Sequence, residues 1–186
     1  MVKIGVISDI HNNLLALESM LSLFEREKCD QIFCCGDMLG IGPYPEETIQ
    51  KLMSLKKAFF AIGNHDWYLI TGLTSPYPDE MKEEEAEHHR WEHSQLSDSS
   101  KEFIRVQDFG YAIKREGVKI AFFHYFTDEK NNFITINENL SPEDCDKMFK
   151  GIEADVVFHG HSHIPSVIKS VNRVYINCGS LGCPHE

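Results

Sequence analysis

A strand-then-helix rhythm governs the N-terminal third of this chain. "KIGVIS" (Lys3 to Ser8) is short, β-branched and apolar, as a strand buried on both faces requires. "NLLALESMLSLFEREK" then sets Leu14, Leu17, Leu21 and Phe24 at helical spacing. "QIFCC" and "PEETIQKLMSL" repeat the pair, and "KAFFAI" supplies a third strand. Parallel strands need crossovers, so this rhythm predicts a parallel sheet with helices packed on it. Beyond Phe109 the pattern changes. "YAIKREGVKIAFFHY" reads as a hairpin turning at Glu116-Gly117, "PEDCDKMFKGI" as a helix, "DVVFH" as a strand and "SVIKSVNRVYIN" as a hairpin around Val171-Asn172. Between the halves, "PDEMKEEEAEHHRWE" (78–92) is acidic and predicts a solvent-facing helix.

Composition bounds the partners. A chain of 186 residues suits one domain over 1–186, and 42% hydrophobic with 25% charged residues is ordinary for a globular protein. Eighteen Lys and Arg against 29 Asp and Glu leave a net charge of −11, and no basic run could follow a nucleic-acid backbone. Long nucleic acid is therefore not an expected partner. No apolar run approaches ~18 residues, so no membrane span is expected. The six cysteines form no Cys-x-x-Cys pair and read as reduced thiols of a cytoplasmic protein. Cys34 and Cys35, in a predicted strand, act as small apolar residues.

Polar residues gather at the C-terminal ends of the predicted strands, where open α/β sheets bind ligands. Strand one ends in "SDIHNN" with Asp9 and His11, strand two in "CGDMLG" with Asp37, and strand three in "IGNHDW" with Asn64, His65 and Asp66. "FFHYF" contributes His124, and "VFHGHSH" contributes His159, His161 and His163. Each piece alone is a common turn or cap. Together they offer the nitrogen and oxygen donors that borderline divalent metals take up.

The ordered blocks "DIH", "GD", "GNHD", His124 and "GHSH" resemble the calcineurin-like metallophosphoesterase superfamily, and the match runs from Asp9 to His163. "DIHNNLLALESML" and "GDMLGIGPYPEE" look most like the small bacterial and archaeal phosphodiesterases related to diadenosine tetraphosphatases and protein phosphatases. The resemblance implies a four-layer α/β/β/α sandwich of two mixed β-sheets flanked by helices, with the metal site at the C-terminal ends of strands. It implies two divalent metal ions, manganese before iron, zinc, cobalt or nickel. Asp9, His11 and His163 would hold the first, Asn64, His124 and His161 the second, and Asp37 would bridge them. The implied reaction is hydrolysis of phosphomonoester or phosphodiester bonds of a phosphorylated small molecule or phosphoprotein by hydroxide held between the ions. His65 would protonate the leaving alkoxide, with Asp66 orienting it and raising its pKa.

The chain departs from relatives in three places. His124 is followed by Tyr125 rather than glycine, and Cys178 stands in "NCGS" where a proline is common. The sequence stops at "LGCPHE" where relatives continue, so it is a shorter variant or lacks its C-terminal end. Gly160 is expected to supply the bend that lets His161 and His163 reach different ions. Ser162 is expected to be a spacer and His159 a residue that orients a ligand or packs on the sheet. His88, His89 and His93 fall at spacings that allow a helical i, i+4 metal pair, His89 with His93, but no carboxylate or cysteine completes an obvious set nearby in a strand-end position, so a solvated face is expected. Trp67, Tyr68, Tyr77 and Trp91 read as core or loop anchors rather than base-stacking platforms. A catalytically silent scaffold would show a missing ligand, and none of the implied positions is missing. Nuclease activity is disfavoured by the negative charge.

Overall fold

A computed structural model describes residues 2–73, 77, 81–129, 131–134 and 140–184. Strands β1 (Ile4–Ile7), β2 (Gln31–Cys34) and β3 (Ala58–Phe60) form a wholly parallel sheet in the order β1-β2-β3. Helices α1 (Leu14–Arg26) and α2 (Pro45–Met53) make the two crossovers. Asn13 starts α1 by accepting from the Ala16 N–H at 3.1 Å. The second sheet is mixed, in the order β4 (Gly110–Arg115), β5 (Val118–Phe123), β6 (Val156–His159), β8 (Val174–Asn177), β7 (Ser166–Lys169). Both expected hairpins are present. The first turns at Glu116 (φ 49°) and Gly117 (φ 91°), the two positive φ values that a tight two-residue hairpin turn requires.

Alternation along the strands sorts side chains into layers. Ile7, Cys34 and Phe60 face α1 and α2, joining Leu17, Ile49 and Leu52. Phe33 points the other way and meets Phe122 of the second sheet with ring centroids 3.9 Å apart. Phe59 and Phe158 extend this stack on either side. On the far face, Ala121, Val157 and Tyr175 pack under α6 (Pro142–Met148) through Cys145 and Phe149. The result is the expected helix, sheet, sheet, helix sandwich. Among the described residues no helix is long and apolar enough to cross a membrane, and all six cysteines are free.

Helix α3 (Asn64–Thr71) begins three residues after β3, at "GNHD", which taken alone is a common turn or cap, and no sequence pattern marks α5 (Asp98–Arg105). The acidic helix is α4 (Glu83–Gln95). Pro78, Asp79 and Glu80 of its expected span lie outside the described residues. The expectation that α4 is a solvated face fails on one side: Ala86, His89 and Glu92 are buried, and α4 packs against α2 and α3. Its hidden stripe follows helical spacing, but two of its three residues, His89 and Glu92, are polar, which a hydropathy pattern cannot register.

Phe122 is fully buried at the centre of the aromatic stack between the sheets. Phe122→Ala is expected to lower unfolding free energy by about 3–5 kcal/mol, measured by urea denaturation. A loss under about 1 kcal/mol would show that the inter-sheet stack is not a principal contact.

Candidate metal centre

The turns that leave the strands carry an unusual backbone. Asp9 (φ 55°), His11 (φ 48°), Asp37 (φ 52°), His161 (φ 75°) and His163 (φ 60°) are all left-handed. Each such non-glycine residue costs about 1–3 kcal/mol and persists where its surroundings over-determine it. Here they do. The β1 and β2 turns lace together through Asp9 N–H to Gly36 O at 2.9 Å, His11 N–H to Asp37 O at 3.1 Å and Asn12 N–H to Met38 O at 3.1 Å. Gly182 N–H and Ser180 Oγ–H donate to the Asp9 carbonyl at 2.8 and 3.0 Å from the C-terminal side.

All the candidate ligands converge, in two groups. In the first, His11 Nε2 and His163 Nε2 stand 2.9 Å apart, and Asp9 Oδ1 lies 3.2 Å from His163 Nε2 and 3.8 Å from His11 Nε2. In the second, His124 Nε2 lies 3.2 Å from Asp37 Oδ2, 3.0 Å from Asn64 Oδ1 and 3.2 Å from His161 Nδ1. Asp37 Oδ2 is also 3.9 Å from His11 Nε2, which places it between the groups. Donors sharing one ion through bonds of ~2.1 Å stand about 3.0–3.4 Å apart, so these spacings fit a divalent ion in each group. The rings are set from behind. His11 Nδ1 meets Leu39 O and His124 Nδ1 meets Cys35 O, both at 2.9 Å. A carbonyl only accepts, so each Nδ1 carries a proton and each Nε2 is the atom turned inward toward an ion.

The "GHSH" turn departs from its expected construction. Gly160 does not have a positive φ; the left-handed backbone falls on His161 and His163 instead. Glycine is required at 160 because a Cβ there would collide with Ser8 Oγ and Asp9 Oδ2. Gly63 likewise gives room to the Asp37 carboxylate. Ser162 is more than a spacer: Asn177, at the end of β8, donates from Nδ2 to Ser162 Oγ at 3.0 Å and to Gly160 O at 2.8 Å. Asn177 was not singled out in the sequence, although a polar residue closing an apolar strand is the signal that could have found it. His159 is buried behind the centre, with Nδ1 3.4 Å from Asn177 Nδ2 and its ring tilted against Phe149 and Tyr125.

His65 and Asp66 are placed differently from their expected pairing. Asp66 accepts from the backbone N–H groups of Gly63 at 2.9 Å, Leu39 at 3.0 Å and Met38 at 3.3 Å, which ties the start of α3 to the β2 turn. The ring partner of His65 is His89 of α4, with His65 Nδ1 and His89 Nε2 3.1 Å apart. Burial lowers the His65 pKa to about 3, the reverse of the expected rise. Its Nε2 faces the centre, 3.9 Å from Asp37 Oδ2. His65, His161 and His163 are only partly buried and form the open side of the centre.

Asp9 and Asp37 are buried, and no lysine or arginine pairs with either among the described residues. Burial alone would push both carboxyls up, but the neighbouring imidazoles hold Asp9 below the usual carboxylate range and Asp37 well below it. In return His124, which burial would lower, is raised by Asp37 and Asp9 to about 9. A pair of buried carboxylates answered only by imidazoles is a donor set that fits divalent cations.

Two β-sheets sandwiched between helices, with His, Asp and Asn converging where the strands end, define a metallophosphoesterase. The chain belongs to the calcineurin-like phosphoesterase superfamily, whose domain model matches residues 2–186. It is 31% identical over 203 residues to an uncharacterised protein of Methanocaldococcus jannaschii, covering 100% of this chain and 79% of that one. A shorter match, 35% identical over 68 residues, is to a symmetrical bis(5'-nucleosyl)-tetraphosphatase of Psychromonas ingrahamii, covering 35% of this chain and 24% of that protein. The crystal structure of a metallophosphoesterase from Sphaerobacter thermophilus has the same fold, with a TM-score of 0.74 at 24% identity over 100% of this chain and 79% of that one.

Before an ion binds, His124 is protonated at neutral pH, and an imidazole must lose that proton to become a ligand. Affinity for divalent ions should therefore rise between pH 7 and about 9 and level off above it. Calorimetric titration in buffers of different ionisation heat should show about one proton released at this group. Affinity independent of pH over that interval would contradict the assignment.

Proposed function

We propose that the protein hydrolyses phosphomonoester or phosphodiester bonds of a phosphorylated small molecule or phosphoprotein, using two divalent ions, with manganese the first candidate. The observation that carries this reading is the position of Asp37 Oδ2 between the Asp9–His11–His163 group and the Asn64–His124–His161 group. Two ions in such groups supply an ionised water, a clamp on phosphate oxygens and stabilisation of charge in an in-line displacement. The backbone N–H of His65 donates to Asp37 Oδ1 at 3.0 Å, which fixes the carboxylate with Oδ2 turned to both groups. Substrate approaches from the open side, between His65, His161 and His163. The short likeness to a dinucleoside tetraphosphatase is in keeping with a phosphate-bearing substrate.

His65 is the chain's own contact to the leaving group. Its Nδ1 is engaged by His89, so Nε2 is the ring atom left for substrate. With its pKa at about 3 the ring is neutral at physiological pH, so it acts by hydrogen-bonding the leaving oxygen through its Nε2–H, with the proton that the alcohol needs supplied by solvent, rather than as an imidazolium. That changes the chemistry expected from sequence but keeps the residue and the atom it serves.

The test is hydrolysis of an aryl phosphomonoester and a bis-aryl phosphodiester by the full chain with Mn²⁺, then with chelator, then with Mn²⁺ restored. Metal-dependent turnover that Asp37→Asn abolishes is expected, and no metal-dependent turnover on either substrate would sink the proposal in favour of a silent scaffold. For His65→Ala, both ions at the centre should remain by metal analysis. Its turnover should fall by about 10²-fold or more on an alkyl phosphate, a poor leaving group, and by much less on an aryl one. Equal turnover of wild type and variant on the alkyl substrate would remove His65 from the reaction.

A further inference from the structure

Helix α4 carries a second cluster of metal-ligating side chains outside the centre described above. His89 and His93 are four residues apart on one helix face, and Glu92 lies between them on the same side. Glu92 Oε1 is 3.9 Å from His89 Nδ1 and 3.9 Å from His93 Nε2, and the three atoms lie within 4.8 Å of one another. Every one of these atoms is buried and lacks a hydrogen-bond partner. His89 is 1% exposed and Glu92 0%. Three unanswered polar atoms pointing at one another in a protein interior is an arrangement that folding penalises, and an ion at their midpoint would satisfy all of them together.

The outer atoms of Glu92 and His89 are used. Glu92 Oε2 accepts from Gly40 N–H at 2.9 Å and from Asn12 Nδ2 at 3.1 Å, while His89 Nε2 meets His65 Nδ1. These contacts orient Oε1 and Nδ1 into the cluster, as partners behind metal ligands do. The ion pairs of Glu92 among the described residues are to His88, His89 and His93, with no lysine or arginine. Burial lowers the His93 pKa to about 4, so its imidazole is neutral and offers a lone pair at neutral pH. The side chain of His93 is 19% exposed and gives an ion its way in.

We propose that His89 Nδ1, Glu92 Oε1 and His93 Nε2 form a third metal site, for a zinc-class divalent ion. Two imidazoles and one carboxylate are a zinc donor set, with a fourth position left for water. Contraction of the 3.9 Å separations to about 3.4 Å would bring all three atoms to bonding distance. The site would fasten α4 to the β2 turn through Gly40 and to the β1 turn through Asn12. A further consequence rests on the role given above to His65. A His89 metallated at Nδ1 carries its proton on Nε2 and donates it to His65 Nδ1, which leaves the proton of His65 on Nε2, facing the substrate side.

The experiment is a metal count on the full chain, stripped with chelator, reloaded with Zn²⁺ alone and freed of excess ion by gel filtration. His93→Gln and Glu92→Gln should each retain one Zn²⁺ per chain fewer than wild type. The difference is the quantity read, so the number of ions at the main centre does not enter. If Glu92→Gln fails to fold by circular dichroism, the partly exposed His93→Gln decides. Variants that bind as much Zn²⁺ as wild type overturn the proposal. Loss of two or more ions by His93→Gln also overturns it, since the cluster would then serve the main centre rather than an ion of its own.

Discussion

Two carboxylates, Asp9 and Asp37, are buried where the strand ends of the first sheet meet the turns of the second, and the rest of the architecture answers their charge. Isolated buried charges cost several kcal/mol each, and pairing or metal coordination is the usual remedy. Here the imidazoles of His11, His124 and His163 approach them, groups that can give up a proton and become ligands, where a lysine or arginine would stay charged. That choice makes the centre a receptor for cations. Cations held there would let a strongly acidic chain, at −11, receive an anionic phosphate.

Precision at the centre comes from backbone that would not otherwise adopt its conformation. Left-handed residues at five of the ligand positions are held by hydrogen bonds that cross between turns, and by glycines whose missing Cβ lets Asp9 and Asp37 approach. Asn177 and Asp66 do parallel work on opposite sides, the first fixing the "GHSH" turn and the second fixing the start of α3. Helix α4 then closes one flank through polar contacts, and its His89 meets the ring of His65. Its buried His–Glu–His cluster links the docking of that helix to the orientation of the His65 ring.

Much of the fold was legible because periodicity carried it. The parallel β1-α1-β2-α2-β3 unit, the Glu116-Gly117 hairpin and the β7–β8 hairpin each show an apolar period with a turn residue at the end. What was hidden has no such period. Helix α3 begins with Asn-His-Asp and is stabilised by Asp66 on backbone groups distant in sequence, so local pattern favours a loop. The buried face of α4 is polar, so its acidic composition pointed outward. At the site, residue types and spacing marked the candidate ligands. The partner of His65 was missed because His89 is 24 residues away on an element read as solvated.

The sequence by itself determined the parallel strand–helix unit, the hairpins that follow it and the set of side chains able to bind cations, because these depend on periodicity and on residue type at strand ends. Tertiary structure alone decided how closely those side chains approach one another, with Asp37 between the two groups, and what each works against. Those are questions of distance and burial between segments far apart in the chain. For that reason Gly160 is needed for close approach and not for its bend, Asp66 serves the backbone, and a helix that composition assigned to solvent turns its histidines inward.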